Sequence, residues 1–173
     1  MVKRKATFDS SFWVHAVYLD LVDFLLEDYE LICTPAVVEE LGPANPTSLR
    51  LKRLITEGRI WRGTAGKEKV SLYGKGERAA INLALEKKLL LLIDDWKHYE
   101  AAQQAGIEAT NSVVYLVSLY GRGRFSVDQV LEALAKMTRR GTIKPGWILS
   151  ALKLVAEIRE QSSQKGERSD EET

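Results

Sequence analysis

Acidic residues near strand-like segments are the residues of this chain that could do chemistry. In chain order they are Asp9, Glu40, Glu77, Asp94 and Asp95. Clustered carboxylates repel one another, so their convergence would favour a hard divalent cation such as Mg²⁺ or Mn²⁺, which prefers oxygen ligands. Such a cation makes water a better nucleophile at neutral pH and neutralises charge on a phosphodiester. The pattern therefore favours metal-assisted phosphodiester chemistry, which needs no Ser, Cys or His nucleophile.

Each of these acids also has an ordinary structural explanation. Asp9 precedes a helical segment and could act as its N-cap. Asp94 or Asp95 could cap the next helix in the same way, although one cap leaves the other Asp unexplained. Glu40 and Glu77 could be solvated surface charges. Both kinds of explanation stay open at the level of sequence.

The histidine, cysteine and charge content excludes some kinds of site. The chain has two His and one Cys, which excludes zinc sites built on several His or Cys and an intramolecular disulfide. We predict that Cys33 is a buried strand thiol and that His15 is partly buried packing. His98 is expected at the surface, although its position three residues after Asp95 could bring it to the site. The net charge of +1 does not indicate a nucleic-acid binder, but the basic residues of segments 50–69 and 122–144 could meet phosphate.

No segment predicts a membrane span or a secretion signal. The first residues are basic, but no long apolar run follows them. The longest apolar run, residues 89–93, is far too short to cross a bilayer. We expect a soluble, cytoplasmic protein.

Short apolar runs alternate with helical periods along the chain. The predicted order is β-α-β-α-α-β-α-β-α-β-α-α-α, which favours a mostly parallel sheet covered by helices on both faces. The strands are predicted at residues 6–8, 31–34, 59–61, 89–93 and 107–110. Sites in such folds lie outside the carboxyl ends of the strands, which is where Asp9 and the Asp94–Asp95 pair are expected.

The length of 173 residues predicts one domain, which we place at residues 1–160. Residues 161–173 include no apolar side chain, so we expect a disordered polar tail there. Within the domain, apolar residues at three- and four-residue spacing from Phe12 to Leu26 predict a single amphipathic helix.

Four short motifs, in this order, resemble those of the PIN-domain family. They are Phe8-Asp9-Ser10-Ser11, the run from Pro35 to Leu41, the run from Gly76 to Leu85, and the strand from Leu89 to Asp95. The helices of residues 128–158 resemble the C-terminal extension of a subgroup related to VapC-type toxins. The resemblance covers residues 5–158.

The resemblance implies a three-layer α/β/α fold and a Mg²⁺- or Mn²⁺-dependent endoribonuclease. Many such proteins are toxins neutralised by a small antitoxin protein, and they are often homodimers. The residues that match the acidic quartet of the family are Asp9, Glu40, Glu77 and Asp95, with Asp94 as the alternative to Asp95. By the same match, the metal ligands are expected among Asp9, Glu40, Asp94 and Asp95. Ser112 matches a hydroxyl position that helps to fix substrate or a water at the metal.

Three departures from the family pattern leave other functions open. Ala79 stands where relatives often carry a further acid, Trp96 where a basic residue is common, and Asn111-Ser112 where Gly-Thr is common. The chain could therefore be a PIN-like binding module that has lost catalysis and acts through protein or RNA contacts. A third possibility is a different phosphotransfer fold that uses carboxylates, of the Asp-nucleophile phosphatase or receiver type.

Overall fold

The computed structural model describes residues 2–71 and 74–171 and contains a five-stranded sheet. The strands are β1 (Arg4–Phe8), β2 (Tyr29–Cys33), β3 (Trp61–Arg62), β4 (Leu90–Leu92) and β5 (Ala109–Thr110). Their order in the sheet is β3-β2-β1-β4-β5, and every pair of neighbours is parallel. The central strand β1 pairs Ala6 with Leu31 on one side and with Leu90 on the other.

Helices occupy most of the rest of the described chain. They are α1 (Ser10–Tyr18), α2 (Val22–Asp28), α3 (Pro35–Glu40), α4 (Pro46–Thr56), α5 (Lys75–Lys87), α6 (Trp96–Gln104), α7 (Ser112–Gly121), α8 (Val127–Arg140) and α9 (Pro145–Glu171). The chain divides into two compact units, Met1–Ser112 and Val113–Thr173. The whole sheet lies in the first unit.

The order of the strands places helices on both faces of the sheet. From β1 the chain passes through β2 to β3 in one direction, and α1 to α4 lie on these connections. It then returns past β1 to β4 and β5, and α5 and α6 lie on these connections. Because parallel crossovers are right-handed, the two groups of helices cover opposite faces. The predicted three-layer α/β/α fold with a parallel sheet is confirmed.

The carboxyl ends of β1 and β4 form the natural site of this sheet. The connections after these neighbouring strands leave in opposite directions, which opens a crevice between them. All three residues of β4 are buried, as expected for a strand covered on both faces. This rigid pair of strands fixes the residues that follow each of them.

The helix predicted from Phe12 to Leu26 is interrupted. The chain forms α1 and α2 instead, and between them Asp20 has a φ of 55° in the left-handed region. Asp tolerates this conformation better than most residues. Leu19 and Leu21 on either side of it are both buried. The apolar spacing continues across the break, so the periodicity of the sequence does not reveal that the helix is interrupted.

Residues 113–171 of the second unit contain helices and no strand. A capping box begins α8, in which Ser126 Oγ accepts from Gln129 N–H while Gln129 Oε1 accepts from Ser126 N–H. Helix α9 continues to Glu171, through most of the segment predicted to be a disordered tail, and residues 172–173 lie outside the described residues. The domain boundary at residue 160 stays a prediction. In the part of the chain that the structure describes, no helix is long and apolar enough to span a membrane.

Candidate active site

Asp9 lies at the carboxyl end of β1, beside the end of β4. Its N–H donates to Leu92 O at 3.1 Å, which ties the residue to β4. Its carboxylate caps α1: Oδ1 accepts from Phe12 N–H at 2.8 Å and Oδ2 accepts from Ser11 Oγ–H at 2.7 Å. The side chain is fully buried. Asp9 is therefore a helix cap, as one of the two sequence explanations has it, and also a carboxylate buried in the crevice.

The surroundings of Asp9 oppose its ionisation. Burial raises the pKa of Asp9 well above its usual value, and the nearby carboxylates of Asp94 and Glu77 raise it further. The hydrogen bonds from Ser11 and Phe12 act in the opposite direction but do not compensate. A cation in the crevice would offset both the cost of burying the charged carboxylate and its repulsion by the neighbouring acids.

Asp94 joins three elements in the interior. Its Oδ1 accepts from Ser112 N–H at 2.7 Å at the start of α7, and its Oδ2 lies 2.6 Å from His15 Nδ1 on α1. Both side chains of the His15–Asp94 pair are almost completely buried. His15 is thus more than the partly buried packing residue predicted. Because both oxygens of Asp94 have protein partners, this carboxylate is less available to an external ligand than that of Asp95.

Asp95 is more open and caps α6. Its Oδ1 accepts from His98 N–H at 3.0 Å, and His98 Nδ1 lies 3.0 Å from the same oxygen. The His98 side chain is only 18 % exposed, so it is more buried than the predicted surface position, and it meets Asp95 as the alternative expectation has it. The sequence signal for this pair was the three-residue spacing after an N-cap, which brings the two side chains together.

Glu77 lies in the first turn of α5, among the other acids. Burial raises its pKa, the charges of Glu40 and Asp95 raise it further, and His98 lowers it. Its Oε2 atom is buried and has no hydrogen-bond partner among the described residues. A buried carboxylate oxygen without a hydrogen-bond partner is costly. A bound cation or a donor from a ligand would remove that cost.

Glu40 reaches the cluster from the end of α3. Its Oε2 accepts from Ser10 Oγ–H at 2.5 Å, next to Asp9 in the chain. A Cβ atom at Gly76 would overlap Glu40 Oε2, so the carboxylate can lie against the start of α5 only because position 76 is glycine. Neither Ser10 nor Gly76 was singled out from the sequence, because both contacts join distant parts of the chain.

The structure therefore places Glu77 close enough to interact electrostatically with Asp9, Glu40 and Asp95. The charge of Asp94 interacts with Asp9 in the same way. We call these five residues the acidic cluster. Ser112 lies behind it, fully buried, and its Oγ has no hydrogen-bond partner among the described residues. The catalytic, metal-binding and substrate-binding roles of all six residues stay predictions.

The cluster fits a hard divalent cation by its chemistry. All of its donors are carboxylate oxygens, which Mg²⁺ and Mn²⁺ prefer, and Glu77 Oε2 offers a buried, unpartnered oxygen. In the described residues, no group of three or more His, Cys, Asp or Glu side chains is already arranged to hold a metal ion. Binding would therefore require these side chains to move closer together.

A pocket of about 340 Å³ is formed by the start of α3, by α5 and by the segment that precedes α5. Its walls include Pro35, Ala36 and Ala79, and its lining includes the cations Lys75 and Arg78 on either side of Glu77 in the chain. One wall is the segment of residues 64–68, which precedes α5. Arg78 Nε is paired with Glu68 Oε1 at 3.0 Å, and Glu68 also lines the pocket, so the pocket combines Lys75 and this ion pair with an apolar surface.

Two side chains of α5 hold residues 66–70, which overlap and follow this segment. Asn82 Oδ1 accepts from Lys69 N–H and Val70 N–H at 2.6 and 2.9 Å, and Asn82 Nδ2 donates to Val70 O at 2.8 Å. Glu86 Oε2 accepts from Gly66 N–H at 2.7 Å. Asn82 and Glu86 therefore both bind this part of the chain to α5. Neither contact was predicted from the sequence.

Comparison with known proteins gives the family. A family model, DUF3368, described as a PIN domain, matches residues 7–157. A PilT N-terminus domain protein from the hyperthermophilic archaeon Sulfolobus solfataricus P2 is similar in structure, with a TM-score of 0.43 and 19 % sequence identity over 61 % of this chain and 85 % of that chain. A search of curated proteins finds no significant match. The match of the family model to residues 7–157 shows that this chain belongs to the PIN-domain family, whose members are generally nucleases.

Proposed function

We propose that this protein is a divalent-metal-dependent endoribonuclease that hydrolyses RNA phosphodiesters. The observation that carries the proposal is the convergence of carboxylates from β1, α3, α5 and the β4–α6 junction at the crevice of the sheet, in a family of nucleases. Membership of this family decides against the other phosphotransfer folds considered from the sequence.

In this proposal Asp9, Glu40 and Asp95 hold Mg²⁺ or Mn²⁺. Asp94 is the alternative to Asp95; its side chain is almost completely buried between Ser112 and His15, whereas the side chain of Asp95 is 39 % exposed. The bound ion would neutralise charge on the phosphodiester and favour attack by water. The carboxylates supply the negative charge that retains the ion in the crevice.

Glu77 is suited to accept a proton from the attacking water. A general base works best when its pKa lies closer to the working pH than that of an ordinary carboxyl, and burial raises the pKa of Glu77 in that direction. Its unpartnered Oε2 is available to receive the proton. We therefore give Glu77 a catalytic role in addition to its share of the cluster's charge.

The pocket and Ser112 complete the proposed substrate side. Lys75 lines the pocket and can contact RNA phosphates, and Arg78 can do so by exchanging its ion pair with Glu68 for a phosphate. Ser112 is fully buried, so its proposed role in fixing substrate would act through Asp94, whose Oδ1 its N–H contacts. The cations draw the phosphate chain toward acids that would otherwise repel it.

The resemblance to VapC-type toxins supports a finer proposal. We propose that the protein is the cytoplasmic toxin of a toxin–antitoxin pair, that it is a homodimer, and that a small antitoxin protein binds it. Co-expression with the product of the adjacent gene tests this directly. A stable complex that inhibits RNA cleavage is expected, and free, uninhibited protein would contradict it.

RNA cleavage by the purified protein tests the nuclease proposal. A mixed RNA substrate is incubated with Mg²⁺, with Mn²⁺ and with EDTA, and Asp9→Asn and Asp95→Asn are compared with Asp20→Asn, an acid outside the cluster. We expect metal-dependent cleavage that Asp20→Asn retains and the two cluster variants lose. Equal cleavage by Asp9→Asn would overturn the assignment of the site.

A second candidate function is a PIN-like binding module without catalysis. Ala79 in the pocket and the lack of a ready-made metal group among the described residues favour it. Such a module would bind RNA or protein but would neither cleave RNA nor bind Mn²⁺ through Asp9. Mn²⁺ binding that depends on Asp9 and Asp95 would count against it.

A further inference from the structure

Trp96 is the neighbour in the chain of Asp95, a residue of the acidic cluster. It directly follows Asp95 and is the first residue of α6, at the carboxyl end of β4. Its side chain is 39 % exposed, whereas Trp13, on α1, is completely buried. Exposed apolar residues are common, but an aromatic ring next in the chain to a candidate catalytic acid can pack against the flat face of a ligand bound there.

A cation accompanies this ring. Lys97 Nζ lies 5.6 Å from the centroid of the Trp96 ring, which is a cation–π contact. Both residues are exposed, so the contact is weak and the ammonium group can leave the ring for another partner. Ring and cation together match the two parts of a nucleotide, the base and its phosphate.

We propose that Trp96 stacks an unpaired base of single-stranded RNA next to the phosphodiester at the acidic cluster, and that Lys97 contacts the phosphate of that nucleotide. This inference rests on the proposed nuclease function and names two residues that would hold the substrate at the site. Every base has a face that can stack on an aromatic ring, but the faces of bases in a duplex are already stacked on their neighbours. The arrangement therefore selects single strands over duplexes and tolerates different sequences.

The chain offers a matched control for the ring. Trp61 on the edge strand β3 is 57 % exposed, and two strands separate β3 from β4 in the sheet. Substitution of either residue by Ala removes an exposed indole ring. Of the two, only Trp96 is next in the chain to a residue of the acidic cluster.

The test is the affinity of RNA for the Asp9→Asn protein, in which cleavage is prevented, measured in Mg²⁺ by fluorescence anisotropy. We expect Trp96→Ala to weaken single-stranded RNA binding about 5- to 100-fold, Trp96→Phe to retain most of it, and Trp61→Ala to leave it unchanged. Binding of duplex RNA should change little in all three. Quenching of Trp fluorescence on RNA addition should disappear in Trp96→Ala.

The outcomes separate this inference from the nuclease proposal. Unchanged single-strand affinity in Trp96→Ala, or an equal loss for duplex and single strand, would overturn the stacking role and leave cleavage untouched. A selective loss in Trp96→Ala with no cleavage by the wild-type protein would support stacking and refute the nuclease. Thermal unfolding of Trp96→Ala and Trp96→Phe checks that a loss of affinity is not a loss of fold.

Discussion

At the scale of single residues, Asp9 is both a helix cap and a buried acid. Its hydrogen bonds from Phe12 and Ser11 fix the start of α1, and the same bonds hold its carboxylate at the crevice. The plain explanation from sequence and the functional one are therefore compatible. Asn can make the same cap, which allows the charge to be removed without removing the cap.

Asp9→Asn should stabilise the metal-free protein at neutral pH. The pKa of Asp9 is raised above its usual value of 3.8. At pH below 3.8 the Asp9 carboxyl is protonated and its burial costs no stability through ionisation. The folded protein loses stability as pH rises through the folded-state pKa, because the buried carboxyl then ionises. In EDTA the melting temperature of the variant should exceed that of wild type at pH 8, and the difference should shrink toward pH 5. Mn²⁺ should raise the melting temperature of wild type only. A variant less stable than wild type at pH 8 in EDTA would contradict this.

Gly76→Ala should lower RNA cleavage at least tenfold with little loss of stability. The added Cβ displaces the Glu40 carboxylate from the start of α5. The displaced atoms are the end of a flexible, exposed side chain, and Ala favours helix more than Gly does. Gly146→Ala is the control, because Gly146 is likewise the second residue of a helix and has open space around it. Cleavage equal in the two variants would show that Glu40 is not held as described.

At the scale of elements, the apolar runs predicted the strands that matter most. Leu90–Leu92 is buried on both faces and was recognisable from five consecutive apolar residues. The two-residue edge strand β3, exposed at both positions, was predicted at 59–61 and found at 61–62, because so short a strand has little pattern of its own. The break at Asp20 was missed because apolar spacing continued across it.

The contacts that shape the site were not predictable from sequence. Asn82 binds backbone atoms twelve and thirteen residues earlier, and His15 meets Asp94 across 79 residues. No local spacing marks such pairs, since they depend on how β1, β4 and α5 are placed in the sheet. Acid positions after strands were predictable for the opposite reason, because strand ends in a parallel sheet share one edge.

Asn82→Ala should destabilise the protein by about 2 kcal/mol, because the N–H groups of Lys69 and Val70 and the carbonyl of Val70 lose the side chain that holds them against α5. Asn82 is 4 % exposed and also donates from Nδ2 to Arg78 O at 2.9 Å. Urea unfolding measures the change, with Gln103→Ala on the exposed face of α6 as the control. A loss below about 0.5 kcal/mol, as expected for an ordinary surface change, would mean that the wall does not depend on Asn82.

At the scale of the whole molecule, the family match extends across both compact units. It covers residues 7–157 and so includes α7, α8 and the first part of α9. The sheet and the acidic cluster lie entirely in the unit Met1–Ser112. Sequence predicted the helices of the second unit from their amphipathic pattern, but it did not predict the length of α9.

Removal of residues 161–173 should leave the fold and the proposed cleavage unchanged. The segment has no apolar side chain with which to pack, even though α9 continues to Glu171. A protein of residues 1–160 should melt within a few degrees of the full chain and cleave RNA at the same rate. A large fall in melting temperature would place the segment inside the domain.

Mn²⁺ binding is the most direct test of the central claim, that the acidic cluster acts as one divalent-metal site. Calorimetric titration of the metal-free protein should show binding that Asp9→Asn and Asp95→Asn each abolish or weaken at least tenfold. Asp20→Asn should bind as wild type does. Absence of Mn²⁺ binding to folded wild-type protein, or unchanged binding in both cluster variants, would contradict the account.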